Sequence, residues 1–151
     1  MLKMTDEEMM QHAISLAKQA SSLEEVPIGA VVFHEGVIVG EGFNTKETNC
    51  DPTAHAEINA IVDASKRLGR WRMHECTIVV TLEPCPMCAG AIVNARFDRV
   101  VFGASDHKAG ACQTLYKITD DPRLNHRCEV VGGILENECI ELLQDFFRLR
   151  R

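Results

Sequence analysis

The sequence predicts an α/β fold in which a mixed five-stranded sheet lies between two layers of helices. Short apolar runs rich in β-branched residues alternate with runs of helical periodicity along the chain. Their order, α-β-β-α-β-α-β-α-β-α, is typical of a sheet covered by helices on both faces. The length of 151 residues and the 46% of apolar residues suit one hydrophobic core. We therefore expect a three-layer α-β-α sandwich formed by a single domain over residues 1–151.

The amino-terminal half contains a predicted helix, a β-hairpin and a second helix. Thr5 and Glu8 have the spacing of a capping box, which predicts a helix start. Glu35-Gly36 separates two β-branched runs and predicts a two-residue hairpin between antiparallel strands. Pro52 and Thr53 follow a polar loop and favour the start of the next helix. The resulting elements are a helix that ends near Ser21, strands at 28–34 and 37–43, and a helix at 54–68.

The carboxy-terminal half alternates strand and helix. Residues 76–82 (CTIVVTL) are short, apolar and β-branched, so they predict a buried strand. Pro86 suits the first position of a helix, whose N–H has no intrahelical partner, and this makes Cys85 the N-cap. The other elements are a helix at 86–95, strands at 99–104 and 128–131, a short helical piece at 114–118 and a last helix at 136–149. Such β-α-β units give parallel strands, and ligands bind beyond the carboxyl ends of these strands.

Two short motifs carry the chemistry of the chain. His55-Ala56-Glu57 and Pro84-Cys85-Pro86-Met87-Cys88 offer an imidazole, two thiols and a free carboxylate. A catalytic zinc ion takes three protein ligands and keeps one position open, and one histidine with two cysteines supplies that set. The pattern H-x-E followed by P-C-x-x-C is typical of zinc-dependent nucleobase deaminases, in which the glutamate moves protons. Each motif begins a predicted helix, so a zinc centre is expected at the carboxyl edge of the sheet.

Each part of these motifs also has a simpler interpretation. Buried cysteine pairs are often plain core, and C-x-x-C alone can be a redox pair. Glu57 could complement the helix dipole, although Ala56 holds the position three after Thr53 that a capping box would use. A structural zinc domain would need a fourth protein ligand, for which the sequence offers no well-placed candidate. The two motifs together favour a zinc hydrolase.

Composition restricts the class of protein further. The apolar runs are shorter than a membrane span and no signal peptide opens the chain, so we expect no membrane association and a cytoplasmic location. The net charge of −6 disfavours broad binding of nucleic acid, although basic residues gather at 67–72, 123–127 and 148–151. Five of the seven cysteines are expected to be free thiols: Cys50, Cys76, Cys112, Cys128 and Cys139.

Over nearly its whole length the chain resembles the bacterial tRNA-adenosine deaminases, members of the cytidine deaminase-like superfamily. The zinc motif is common to the superfamily, whereas the Asn-His-Arg and Phe-Phe segments are more specific to the tRNA branch. The resemblance rests on Asn44 and on the segments 26–30, 51–57, 71–72, 80–85, 88–90, 101–104, 125–127 and 145–147. The chain departs from the family in one loop, where many members carry Gly-Ser-Leu and it reads Cys112-Gln113-Thr114-Leu115.

The resemblance implies a homodimer that acts on a tRNA anticodon stem-loop and converts the wobble adenosine to inosine. It implies that His55, Cys85 and Cys88 bind one zinc ion per chain and that Glu57 is the catalytic proton carrier. It further implies a set of contacts with the flipped adenosine or the nucleotide before it: Asn44, Asp106, the pocket residues Ile28 and Val80, and the backbone of Ala56 and Pro84.

Other interpretations remain open for the substrate and its contacts. Asn44 could form only an Asx-turn, and Asp106 could belong to an ordinary solvated loop. A deaminase of a free purine base or nucleoside would use the same zinc centre, and the acidic charge fits it. Asn125-His126-Arg127 and the basic residues 148–151 favour the tRNA branch instead.

Overall fold

Five strands form one sheet in the computed structural model, which describes residues 3–150. The strands are β1 (Gly29–His34), β2 (Val37–Phe43), β3 (Cys76–Leu82), β4 (Arg99–Ala104) and β5 (Glu129–Val131). The helices are α1 (Asp6–Ser22), α2 (Ala56–Leu68), α3 (Pro86–Ala95) and α4 (Glu136–Arg148), with a 3-10 turn at Ile118–Asp120. None of the helices in this described part of the chain is both long enough and apolar enough to cross a membrane.

The sheet is mixed, with the strand order β2-β1-β3-β4-β5. β1 pairs antiparallel with β2 and with β3, whereas β3, β4 and β5 are parallel. Val79 in β3, for example, lies opposite Val31 of β1 and Val101 of β4. β2 therefore points the same way as β3, so one edge of the sheet collects the carboxyl ends of β2 to β5 and the amino end of β1. We call it the carboxyl edge.

The core lies on both faces of this sheet, as the predicted three-layer sandwich requires. Alternate strand residues point to opposite faces, so Ile78 and Val80 join one hydrophobic cluster and Val79 joins the other. The first cluster is completed by α2 and α3, and the second by α1 and α4. The predicted α/β class and five-stranded mixed sheet are thus confirmed.

The starts of the helices agree with the sequence, with one shift. Thr5 and Glu8 form the predicted capping box, with both reciprocal hydrogen bonds at 3.1 Å. α2, predicted from residue 54, begins instead at Ala56. Thr53 donates both its backbone N–H and its hydroxyl to the carboxylate of Asp51, at 2.8 and 2.7 Å. These bonds form an Asx-turn before the helix and delay its first turn.

The short helix predicted at 114–118 is wrong. The chain makes a 3-10 turn only at Ile118–Asp120. The backbone N–H groups of Gln113 and Thr114 donate to the carboxylate of Glu83, at 2.8 and 2.9 Å. The N–H of Ile118, which in a helix at 114–118 would donate to the carbonyl of Thr114, donates instead to the carbonyl of Ala111 at 2.9 Å.

α2 packs closely against the edge strand β2, and this contact fixes the position of the His55-Ala56-Glu57 motif at the start of α2. A Cβ atom on Gly42 would lie 2.5 Å from both the carbonyl oxygen of Ala56 and the nitrogen of Ala60. A Cβ atom on Gly40 would lie 2.6 Å from the carbonyl oxygen of Ala60. The helix therefore rests directly on the strand backbone, and its first turn is held at the carboxyl edge.

We expect Gly42→Ala to destabilise the protein, because the added methyl group would push the first turns of α2 away from β2. Overpacking of this kind costs about 1–3 kcal/mol. Urea unfolding should show this loss, while Val37→Ala, at an exposed site in the same strand, should change the free energy of unfolding by less than about 0.5 kcal/mol. Equal unfolding midpoints for the two variants would contradict the close seating of α2.

Candidate metal centre and active site

The three predicted metal ligands lie together at the carboxyl edge. His55 is the N-cap of α2, Cys85 is the N-cap of α3, and Cys88 is in the first turn of α3. Both N-cap residues have extended backbone angles, and neither side chain makes a capping hydrogen bond to any residue within 3–150. The two side chains are therefore free to point away from their own helices and toward each other.

The spacing of the three donor atoms matches a tetrahedral zinc site. Nδ1 of His55 lies 3.7 Å from Sγ of Cys85 and 3.5 Å from Sγ of Cys88. All three ligand atoms lie within 4.8 Å of one another. Tetrahedral coordination with ordinary Zn–N and Zn–S bond lengths places such N and S atoms about 3.6 Å apart. The donor set therefore fits one zinc ion with a fourth position left for a non-protein ligand.

Electrostatics at this cluster also favour a cation. A hydrogen bond from Cys88 stabilises the thiolate of Cys85 and lowers its pKa to about 4, against the effect of burial. The same hydrogen bond, together with burial and the charge of Glu57, raises the pKa of Cys88 far above that of a free thiol. Hydrogen bonding to Cys85 raises the pKa of His55. Two thiolates become compatible in this space only when a positive ion lies between them.

Glu57 lies beside this cluster in the first turn of α2 and is only 4% exposed. Burial raises its pKa to about 7, and hydrogen bonds from its own backbone N–H and from Cys88 oppose that shift. The carboxylate does not belong to the group of mutually close donor atoms among the described residues. Its position suits proton transfer next to a metal better than metal coordination.

A second group of possible donors, formed by His34, Glu35 and Glu75, lies at the other edge of the sheet, where β1 ends and β3 begins. His34 and Glu75 are 3.7 Å apart, and both glutamates are exposed. Exposed carboxylates of this kind are common without an ion, so this group carries no functional assignment.

A cavity of about 380 Å³ opens beside the metal ligands. This volume lies within the range of ~300–1,000 Å³ that small-molecule sites occupy, and it is large enough for a nucleoside. Four of the predicted site residues line it: Ile28, Asn44, His55 and Ala56. The other lining residues are Glu24, Glu25, Val26, Lys46, Glu47 and Phe146.

Asn44 makes the Asx-turn considered from the sequence and also lines the cavity. Its side-chain oxygen accepts the N–H of Lys46 at 3.1 Å, which is the Asx-turn, and its amide donates to the carbonyl of Val26 at 3.3 Å. Its backbone N–H donates to Ile28 at 3.0 Å. The side chain is thus held in one orientation on the cavity wall, with one amide N–H and one oxygen lone pair left for a ligand.

Three further predicted residues are not among the described lining residues of the cavity: Val80, Pro84 and Asp106. Val80 is fully buried in the centre of the sheet. The carbonyl of Pro84 accepts the N–H of Ala111 at 2.9 Å. One carboxylate oxygen of Asp106 accepts the N–H groups of Lys108 and Ala109, at 3.0 and 3.2 Å. Their contacts with substrate remain predictions.

The segment Asn125-His126-Arg127, which had favoured RNA on sequence grounds, lies at the opposite edge of the sheet. His126 makes a 2.6 Å hydrogen bond to the carbonyl of Phe97, just before β4, and Arg127 pairs with Asp120 at 2.9 Å. The segment leads into the amino end of β5. Within one chain the segment at 125–127 therefore connects neighbouring loops through hydrogen bonds and an ion pair, at the edge of the sheet away from the cavity.

Sequence reasoning missed two buried glutamates, Glu25 and Glu83, which are 1% and 2% exposed. Glu25 accepts hydrogen bonds from the N–H of Glu47 and from the N–H and hydroxyl of Thr48. Burial opposes ionisation of both carboxylates, but their hydrogen bonds outweigh it and hold the pKa of each below its ordinary value. The sequence signal for these two residues was slight. Glu83 is a single glutamate at the end of an apolar strand, and Glu25 lies just before one.

The fold and the donor cluster define the class to which this protein belongs. Deaminases that act on nucleobases hold their metal with one histidine and two cysteines and keep a free glutamate beside it. The family model of the MafB19-like deaminases matches residues 4–151 of this chain. The protein is a deaminase.

The comparisons with known proteins identify the branch of this class. The chain is 50% identical to the tRNA-specific adenosine deaminase of Bacillus subtilis over 143 residues, which are 95% of this chain and 89% of the relative. A solved tRNA:A34 deaminase, studied for A-to-I editing at the wobble position of transfer RNA, superposes with a TM-score of 0.86. It is 39% identical, and the match covers 89% of this chain and 98% of that one. The chain belongs to the tRNA-specific adenosine deaminase family.

A solved guanine deaminase from Bacillus subtilis is a more partial match. It is 40% identical with a TM-score of 0.65, over 68% of this chain and 66% of that one. The match to the tRNA deaminase extends over more of both chains and has the higher TM-score.

Proposed function

We propose that the protein converts adenosine to inosine at the wobble position of a tRNA anticodon by hydrolytic deamination, with one zinc ion per chain. One observation carries this proposal. The cluster of His55, Cys85 and Cys88, with buried Glu57 beside it, opens on a cavity of nucleoside size in a chain that is 50% identical to a tRNA-specific adenosine deaminase. The chemistry and the cavity therefore agree with the family.

In this proposal the zinc ion is held by His55, Cys85 and Cys88. Thiolate and imidazole donors suit zinc, whereas magnesium and calcium prefer oxygen ligands. When bound, zinc with an open position lowers the pKa of a water molecule to about 7 and so supplies a nucleophile at neutral pH. The two N-cap positions hold the ligands on rigid helix ends rather than on loops.

Glu57 is the proposed proton carrier. Hydrolytic deamination adds water at C6 of the purine and expels ammonia, so protons must leave the water and reach the ring nitrogen N1 and the departing amino group. A carboxylate can accept and return each proton in turn. Glu57 is fixed by the first turn of α2 next to Cys88, where both the water and the base must meet.

Ile28, Asn44 and the backbone of Ala56 are the proposed contacts of the adenosine base, since all three line the cavity. Asn44 suits this role because its orientation is already fixed by three hydrogen bonds. We assign supporting positions to the remaining predicted residues. Val80 is buried in β3, Pro84 lies between β3 and Cys85, and Asp106 is on the loop after β4.

The mouth of the cavity supports a single-stranded RNA loop as the substrate. The guanidinium of Arg150 stacks over the ring of Phe146 at 3.5 Å from its centre, and Phe146 lines the cavity. The ring of Phe147 lies 5.3 Å from that of Phe146, and Phe147 is 49% exposed. Aromatic rings and stacked arginines are the usual platforms for unpaired bases. Lys46, at the same cavity, offers a further positive charge.

The alternative substrate is a free purine base or nucleoside. It is favoured by the net charge of −6 and by the likeness to a guanine deaminase over two thirds of the chain. The zinc chemistry would be the same in both cases. The alternatives differ in whether the exposed mouth of the cavity contributes to turnover.

We further propose a single domain over residues 1–151, a cytoplasmic location and a homodimer. Exposed apolar side chains occur on the face of the sheet covered by α2 and α3, with Val62 of α2 47% exposed and Met87 of α3 37% exposed. Trp71, which follows α2, is 58% exposed. An apolar surface of this kind suits contact with a second copy of the chain.

The purified protein should contain about one zinc ion per chain, because three protein ligands and one open position complete a catalytic site. Cys88→Ala should lose this metal in elemental analysis and should unfold at lower denaturant concentration. Cys50→Ser removes an exposed thiol away from the cluster and should keep its zinc. Full zinc content in Cys88→Ala would disprove the ligand assignment.

Glu57→Gln should keep zinc and fold but lose turnover, because the amide cannot carry the protons. General acid–base groups contribute roughly 10²–10⁴-fold to rate. Turnover is measured as inosine formed in an anticodon stem-loop, and zinc content and thermal unfolding serve as controls. Activity within a few-fold of the parent protein would exclude Glu57 as the proton carrier.

The third experiment compares an anticodon stem-loop with free adenosine, adenine, guanine and cytidine. We expect rapid deamination of the stem-loop alone. Arg150→Ala should weaken binding of the stem-loop with little change in the slope of log K against log salt, because Arg150 is already paired with Glu24 and contributes by stacking on Phe146. Lys66→Ala removes the same charge in the last turn of α2 and should leave binding unchanged. Rapid deamination of a free base, with no inosine formed in RNA, would favour the alternative function.

A further inference from the structure

Glu83 connects the metal-binding turn to a neighbouring loop through five hydrogen bonds. It follows β3 and precedes Pro84 and Cys85. Its Oε1 accepts the N–H of Asp106 at 3.1 Å and the hydroxyl of Thr114 at 2.5 Å. Its Oε2 accepts three consecutive backbone N–H groups at 3.1, 2.8 and 2.9 Å, those of Cys112, Gln113 and Thr114. One carboxylate thus binds both ends of the loop at residues 105–114.

The loop is shaped to receive this carboxylate. A Cβ atom on Gly110 would lie 2.4 Å from Oε1 of Glu83, so only glycine leaves room for it. Ala111 next to it donates its N–H to the carbonyl of Pro84 at 2.9 Å, and Glu83 donates its own N–H to Ala104 at 2.8 Å. Because the carboxylate is 2% exposed, water cannot replace these bonds. The loop and the metal-binding turn therefore move as one unit.

This loop carries Asp106 to the active-site side of the sheet. The backbone N–H of Asp106 is bound to Glu83, and one of its carboxylate oxygens is bound to the N–H groups of Lys108 and Ala109. The second oxygen of Asp106 has no hydrogen-bond partner in the part of the chain that the structure describes. Glu83, two residues before Cys85, therefore sets the position of this free acceptor relative to the metal ligand.

We propose that Glu83 is a positioning residue for substrate recognition, which holds loop 105–114 against the metal-binding turn so that Asp106 meets the nucleotide next to the reacting base. The inference rests on the proposed function, since a free base has no neighbouring nucleotide. Glu83 does not touch the reacting atoms. Its effect is on the binding of a polynucleotide.

The hydroxyl of Thr114 completes this set of contacts from the loop side. It donates to Glu83, and a serine hydroxyl in the same place could do so as well.

The test uses three variants of the full protein: Glu83→Gln, Thr114→Val and Thr114→Ser. The glutamine keeps the shape of Glu83 but turns one acceptor into a donor that faces N–H groups. Thr114→Val removes only the hydrogen bond from the hydroxyl to Glu83. This variant still tests the proposal if Glu83→Gln fails to fold. Thr114→Ser keeps that bond and is the matched control. Each variant is assayed for kcat and KM on an anticodon stem-loop, for turnover of free adenosine at high concentration, and for zinc content.

We expect Glu83→Gln and Thr114→Val to raise KM for the stem-loop by roughly tenfold or more, as loss of a hydrogen bond to a charged group implies. Their kcat, zinc content and residual turnover of free adenosine should stay within about twofold of the parent protein, and Thr114→Ser should match the parent. An unchanged KM in Thr114→Val, or a parallel fall of kcat, zinc content and both activities, would overturn the positioning role. Failure of the parent protein to deaminate the stem-loop would instead refute the proposed function, and with it this inference.

Discussion

Two thiols and one carboxylate are crowded at the starts of two helices, and the rest of the structure depends on how this crowding is relieved. Without a cation the groups divide their protons unequally: the pKa of Cys85 falls to about 4, that of Cys88 rises, and that of Glu57 rises to about 7. A dication lets both thiols ionise, and the positive ends of α2 and α3 add to its effect. Metal binding and the stability of the carboxyl edge are therefore coupled.

The fold places the groups for the chemistry on rigid helix starts and the groups for substrate recognition on loops. The proposed metal ligands lie at helix starts, and α2 rests directly on the backbone of β2 at Gly40 and Gly42. The loops before α2 and after β4 have no regular structure, so their backbone N–H groups need other acceptors. Glu25 supplies them for one loop and Glu83 for the other. A buried carboxylate suits this task because each of its oxygens can accept more than one N–H group.

The sequence predicted the elements well and singled out the three donor residues that the structure brings together, because both depend on local signals. Pro86 after Cys85 placed the N-cap of α3, and the β-branched run before it placed β3. The errors arose in the loops before α2 and after β4, where hydrogen bonds outside the helical pattern decide the backbone path. Asp51 delays α2, and the N–H of Ile118 donates to the carbonyl of Ala111 and not to that of Thr114, so no helix forms at 114–118. The far-edge position of residues 125–127 follows from the parallel pairing of β5 with β4, which the predicted strand order favours, whereas the contacts of His126 and Arg127 depend on side-chain positions that local signals do not give.

The acidic charge of the protein is compatible with an RNA substrate once the charges are considered locally. At the cavity mouth the positive groups of Lys46 and Arg150 are balanced by Glu24 and Glu47, and Arg150 lies 2.8 Å from Glu24. A phosphate that approached Arg150 would have to compete with the carboxylate of Glu24. The release of counterions therefore adds little to the affinity for RNA at this position. The exposed ring of Phe147 and the stacked pair of Arg150 and Phe146 offer contacts that do not depend on net charge. Recognition at this mouth should therefore rest on stacking and shape, which suits a short unpaired loop better than a duplex.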